Sequence, residues 1–436
     1  MTNFSSTLQR SHAWAIAISL VLLPIDWFKP TALLLREAGA KPASPFLAAL
    51  LVWLLLSWRK SVRPNAEACR FLLACALVAC LGTAAFGLNL ITGWSPLDWD
   101  RSPIAQFCAQ AAMFGLFVAV LLSLLSLLAA PQARDFLLRA LPWVAGAHLA
   151  IFMTEASGVL ANNPVILLFR TDVGLIDRPS GLMSEPSYWG TFAALFGVPL
   201  MFTGRGLRPF QRALGATLMV AAVLVQAKTM FVVIAAQAVY LLLAPHRSRL
   251  ARPLLLVGCA ITALAAIAVV QSTAANDLDE NLSTVMRIGS TAMSMNIVTS
   301  GYGLTGIGFG QFHFFYTPRF APDFLFLSQE ALDQFSHASP QRASTYNLLS
   351  RMLVETGVAG FLIFFGSIAA ILWRRRLAMD DATRVGMLFI FGSIGFLTTQ
   401  DTYCYPPLAL GLALTLGRSS SLRAADTDAS SGPDRA

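Results

Sequence analysis

An all-α polytopic membrane protein is the fold class this sequence predicts, and three observations predict it. The 436 residues are 56% hydrophobic and only 12% charged, with a mean hydropathy of +0.64; water-soluble domains carry about 25% charged residues. Apolar runs close to the ~20 residues of a bilayer-crossing helix recur along the chain. Lys and Arg cluster in alternate loops between those runs, as they do in cytoplasmic loops of membrane proteins. Backbone in a bilayer must satisfy its own N–H and C=O groups, so the spans are expected to be helices.

Taken in order, the runs fall at 12–28, 43–58, 70–92, 105–129, 139–155, 188–203, 211–226, 228–245, 253–271, 350–373, 384–400 and 403–417, about twelve transmembrane helices. The first contains Asp26 and lacks a small-residue cleavage pattern, so it reads as a retained helix rather than a signal peptide. With the N-terminus cytoplasmic, 20 of the 31 Lys and Arg fall on inside segments, and both termini are then cytoplasmic. A single integral membrane domain covers 1–417. Within it a large periplasmic loop, 272–347, precedes helix ten, and the Ser-, Ala- and Asp-rich stretch 418–436 reads as a disordered cytoplasmic tail. Phe324–Phe335 has the pattern of an amphipathic helix lying on the outer surface.

Composition also excludes functions. The net charge of +8 is explained by inside loops, and no basic patch interleaves with aromatics, so no nucleic-acid partner is expected. The six cysteines form no Cys-x-x-Cys pair, which argues against a zinc site or a disulfide framework.

Eleven basic residues escape the inside rule: Lys29, Arg36, Lys41, Arg101, Arg170, Arg178, Lys228, Arg287, Arg319, Arg342 and Arg351. They are dispersed over outer loops and could converge on an anion; the competing explanation for each is a solvated or snorkelling charge. Lys228, in the tight turn Val225-Gln-Ala-Lys-Thr-Met230, is the hardest to dismiss, because a charge between two spans is costly without a cavity or partner.

Four constellations could carry chemistry. Arg178-Pro-Ser-Gly-Leu-Met-Ser-Glu185 places a phosphate-gripping guanidinium and a proton-accepting carboxylate at a membrane entrance, against the plainer reading of a surface ion pair. Gly301–Gly310 could cradle phosphate, but it lacks the P-loop Lys-Ser/Thr, and a sharply turning or re-entrant loop fits better. Asp98/Asp100 and Asp277/Asp279/Glu280 could hold a divalent metal, although their spacing is common at helix ends. Tyr346-Asn347-x9-Gly357-Val-Ala-Gly360 has small residues suited to close helix packing.

This last segment resembles the His-[Asn/Ser/Gln]-x9-Gly-x-x-[Gly/Thr/Tyr] pattern of O-antigen ligases at Asn347, Gly357 and Gly360, and departs from it at Tyr346. Arg178 ahead of Glu-Pro-Ser, the turn at Lys228, and Arg287 followed by Gly-Ile-Gly-Phe-Gly310 extend the resemblance to the O-antigen ligase and Wzy-type polymerase superfamily over residues 170–375. The resemblance implies a GT-C-like fold in the bacterial inner membrane with a periplasmic active site. It implies an enzyme that transfers oligosaccharide from an undecaprenyl-diphosphate-linked repeat unit to an acceptor sugar hydroxyl without a metal or other cofactor. Its partners would be that lipid-linked glycan, the bilayer, and a chain-length regulator and flippase. With Tyr346 in the histidine position, polymerase is favoured and ligase is the alternative. A flippase or transporter, and a metal-dependent transferase using Asp98 and Asp100, compete from other classes. On the transferase reading Arg178 and Arg287 bind the diphosphate, with Lys228, Arg342, Arg170 and Asn347 assisting. Glu185 is then the first candidate for general base and His337 the second, since Tyr346 has a reference pKa of about 10.

Overall fold

The computed structural model describes residues 2–56, 64–92, 102–159, 164–169, 179–202, 209–225, 227–243, 282–315, 319–322, 345–377 and 380–417. Among them no strand occurs. The helices are α1 (Thr2–Leu22), α2 (Lys29–Leu35), α3 (Glu37–Ala40), α4 (Ala43–Leu56), α5 (Ala66–Ile91), α6 (Pro103–Leu127), α7 (Pro131–Ala156), α8 (Pro164–Leu167), α9 (Pro186–Phe202), α10 (Pro209–Leu224), α11 (Lys228–Leu243), α12 (Leu282–Ile297), α13 (Leu348–Arg375), α14 (Asp381–Leu397) and α15 (Pro406–Leu416). Four of them, α5, α6, α7 and α13, are long and apolar enough to cross a membrane by length and composition. Shorter apolar helices, including α4, α10 and α15, pack among them. Leu34, Leu56, Ile91, Trp143, Leu224 and Leu243 stand exposed on the outside of the bundle, an apolar exterior suited to lipid.

Sequence punctuation sets the helix starts. Six helices begin on proline, whose missing N–H costs nothing in the first turn. Asn65, Ser102, Asn347 and Asp380 cap α5, α6, α13 and α14 by accepting from backbone N–H groups two or three residues on. At the centre, every residue of α15 is buried, against α14 and α6. Eleven residues rise only about 16 Å, half a bilayer core, and such a helix is tolerated because its ends are covered by protein rather than lipid.

Helix boundaries correct several expectations. The first run ends at Leu22, so Asp26 lies off the helix. The last begins at Pro406, which leaves Tyr403, Cys404 and Tyr405 in the preceding turn. Part of the expected loop is α12, whose buried Val285, Met286, Ser290, Met293, Ser294 and Ile297 follow helical spacing. Its serines and Arg287 keep it below a hydropathy threshold. The expected span at 253–271 and the surface helix at 324–335 lie outside the described residues, as do Asp98, Asp100, Asp277, Asp279 and Glu280.

Hydrogen bonds between distant segments tie one end of the bundle together. Lys29 N–H donates to the Leu168 carbonyl at 2.7 Å and Leu348 N–H to that of Gln400 at 3.0 Å. Asn89 Nδ2 donates to Ile307 O at 2.9 Å, Gln311 Nε2 to Pro103 O at 3.0 Å, and Lys41 Nζ to Cys404 O at 3.3 Å. The segments read as outer loops thus meet at a single end. At the opposite end Arg375 pairs with Glu67 and Asn65 donates to the Leu416 carbonyl.

Candidate functional site

The site is organised by a break in α13. Gly357 has φ +71° and ψ 176° inside the helix, a conformation open to glycine and strained for residues with a Cβ. The break frees carbonyls that the helix would otherwise use, and the glycine-rich passage takes them up. Ile307 N–H donates to Val354 O and Gly308 N–H to Glu355 O, each at 2.9 Å, while Val358 N–H donates back to Gly303 O at 2.8 Å. Gly308 (φ +94°) lies so close to α5 that a Cβ would come within 2.7 Å of Phe86. These N–H groups are bonded to carbonyls at the helix break, and the passage turns sharply there. Gly360 sits one turn beyond the break, against Thr356.

Beside the break lies a buried ion network. Arg351 Nε donates to Glu355 Oε1 at 3.1 Å; Nη1 donates to the Asp401 carbonyl at 2.9 Å and to its carboxylate at 3.3 Å. The guanidinium lies 4.7 Å from the centre of the Tyr403 ring. Tyr403 Oη donates to Glu355 Oε2, and the Gly310 N–H reaches the same carboxylate. Burial and the Glu355 carboxylate push the Tyr403 phenol well above its ordinary range, so it stays neutral and donates to Glu355. Charges this deep are retained when paired and hydrogen-bonded throughout; here the network fixes Asp401 at the bundle end.

Hydrogen bonds tie Asp401 to the start of α13 and to α12. Thr345 Oγ1 donates to the Asp401 carboxylate at 3.3 Å, and Ser290 Oγ on α12 donates to Thr345 O at 2.7 Å. That link seats α12, and with it Arg287, against the start of α13. Arg287 Nε is buried without a hydrogen-bond partner among the described residues. Arg287 and Asp401 both act electrostatically on Tyr346 and on Tyr188, the latter also facing Glu185 and Asp26. Glu185 is exposed, and its carboxylate accepts from Ser187 Oγ at 3.1 Å. The loop carrying Glu185 is strapped down by two carboxylates. Glu155 accepts from the N–H groups of Ser180 and Gly181 at 3.0 and 2.6 Å, and Asp26 accepts from Ser184 N–H at 2.9 Å and from its hydroxyl.

Arg287 and Asp401 thus act electrostatically on both Tyr346 and Tyr188, and Glu185 acts on Tyr188. Tyr346 has φ +50°, and burial and Asp401 raise its phenol above the ordinary value against the pull of Arg287. It can donate a hydrogen bond and is no base. Asn347 Oδ1 accepts from the N–H groups of Leu349 and Ser350 and starts α13. Lys228 opens α11. Arg170, Arg178, His337 and Arg342 lie outside the described residues.

Asp401, Arg351, Glu355, Tyr188 and Asp26 were not singled out as site residues. A signal existed for one pair: Arg351 and Glu355 are charges at i and i+4 inside an apolar helix, where ionisable residues mark function by default. Asp401 offered none, since a lone carboxylate in a turn becomes informative only through its neighbours.

Together these features define a class: an all-helical membrane protein with a buried charge network and an unpartnered guanidinium nitrogen at one end of its bundle. Comparison with protein-family models, with curated proteins and with solved structures gives no match.

Proposed function

We propose that this protein is a membrane glycosyltransferase that polymerises undecaprenyl-diphosphate-linked oligosaccharide repeat units at the periplasmic face of a bacterial inner membrane. In this reading the chain spans the membrane about twelve times with both termini cytoplasmic, and the bundle end holding Arg287 and Asp401 faces the periplasm. The observation that carries the reading is Arg287, whose Nε is buried without a hydrogen-bond partner among the described residues and which acts electrostatically on Tyr188 and Tyr346, as Asp401 does. A guanidinium with an uncommitted donor suits a departing diphosphate, whose charge grows in the transition state.

In the proposed reaction the bond between the anomeric carbon and the diphosphate oxygen breaks. A bond to the acceptor hydroxyl oxygen forms, and that hydroxyl's proton passes to a carboxylate. Glu185, exposed at the mouth, and Asp401, oriented by Arg351, are the two candidates. Tyr346 and Tyr188 donate hydrogen bonds. The chemistry draws on guanidinium charge and calls for no metal.

The test is polymerisation of lipid-linked repeat units by purified protein in lipid, read as a ladder of chain lengths. Removing one preorganised donor costs about 10²–10³-fold in rate, and Arg287→Ala is expected in that range at normal protein level. Wild-type chain lengths and rate in Arg287→Ala sink the reading.

A further inference from the structure

A small cavity lies behind Tyr188 and takes no part in the chemistry above. Its volume is about 20 Å³, and its polar lining is Asp26, Lys41, Tyr188, Thr191 and Tyr405, the rest being apolar. A single water needs roughly 10–15 Å³ and two to four polar partners, so the cavity fits one. Tyr188 lines this cavity together with Asp26, its N–H donates to the Glu185 carbonyl at 3.1 Å, and Asp26, Glu185, Asp401 and Arg287 all act electrostatically on its phenol.

Among the described residues, three titratable groups act on Asp26 or are acted on by it. Lys41, from the turn before α4, acts on it directly; Lys41 also lies 5.3 Å from the Tyr405 ring centre and feels Asp401. Tyr188 and Tyr405 face it from α9 and the turn before α15. Burial lifts the Asp26 carboxyl to about 6, against the opposing pull of its Ser184 hydrogen bonds and Lys41. The carboxylate is therefore ionised but readily protonated near neutral pH.

We propose that Asp26 is the proton store of the transferase site, taking up through Tyr188 and one cavity water the proton that the acceptor hydroxyl loses beside Arg287. The inference rests on the transferase reading. The proton passes first to Glu185 or Asp401. The Tyr188 hydroxyl accepts it as its own proton moves to the water, and the water in turn gives one to an Asp26 oxygen. No tyrosinate forms, and the net change is one O–H bond lost on the acceptor and one gained on Asp26. Asp26 touches no substrate and acts through Tyr188.

The experiment compares pH–rate profiles of wild type, Asp26→Asn and Ser184→Ala in the same ladder assay, with infrared spectra of each protein across pH. Asn keeps an oxygen acceptor for Ser184, so the loop strap survives. Wild type is expected to lose rate below about pH 6 and to show a protonated-carboxyl band growing in over the same range. Asp26→Asn is expected to lack that band, to run about tenfold slower, below the ~10²–10⁴-fold of a direct general base, and to lose the acid limb. Ser184→Ala is expected to keep the limb. An unchanged limb in Asp26→Asn overturns the store, and so does a Ser184→Ala profile matching that of Asp26→Asn, which reduces Asp26 to a loop anchor. A wild type that transfers no sugar overturns the transferase reading and this inference with it; a wild type that transfers, beside an Asp26→Asn of equal rate and profile, overturns this inference alone.

Discussion

Helix α13 carries an arginine ion pair near each end, and the two pairs sit in different environments. Near its start Arg351 is buried, tied to Glu355 and Asp401, with side-chain exposures of 7%, 0% and 18%. At its far end Arg375 bonds Glu67 on α5 through Nε and Nη2 at 3.1 and 2.5 Å, with exposures of 14% and 25%. The second pair latches two packed helices where solvent still screens it. The first has given up its water, and direct attraction alone seldom repays that cost; it is held by hydrogen bonds from Tyr403 and Gly310 and by the carbonyl of Asp401. The comparison separates an ion pair that joins helices from one that builds a site.

Substitutions can break that contrast, beginning with the largest effect. Glu355→Ala leaves Arg351 buried with half its partners gone and is expected to cost about 3–5 kcal/mol, read as unfolding in detergent; a loss below ~1 kcal/mol means that water already reaches the network. Gly357→Ala forces a Cβ to within 2.3 Å of the Leu304 carbonyl at φ +71°, expected to cost at least ~1–3 kcal/mol and to undock the glycine-rich passage. Faster hydrogen exchange at Ile307 and Gly308 checks it, and unchanged exchange there removes the passage from the site's scaffold. At the far end, Asn65→Ala deletes the cap of α5 and its bond to Leu416, worth about 1 kcal/mol. Smallest of all, Glu67→Ala is expected to cost only ~0.2–1 kcal/mol, with transfer activity unaltered; an effect as large as that of Glu355→Ala erases the distinction between the two pairs.

The helices were legible because burial in lipid demands long apolar runs, and Pro103, Pro186 and Pro209 start their helices close to where the runs begin. Of the residues expected at a site, Glu185, Arg287 and Tyr346 were legible as charges or polar groups in segments with no evident need of them. The partners that give those three their chemistry were not. Arg351 read as one of several stray cations, Asp401 as part of a turn, and Asp26 as a blemish in a first span that in fact stops at Leu22.

The sequence by itself determined an all-helical, apolar-faced chain and the gaps between apolar runs where most charges fall, because composition and periodicity act locally and show in any window of twenty residues. Only the tertiary structure decided which charges meet. Arg351 and Asp401 are 50 residues apart and Asp26 and Ser184 are 158 apart, and contacts over such separations are set by how helices pack and where α13 breaks. Hydropathy carries no record of that geometry.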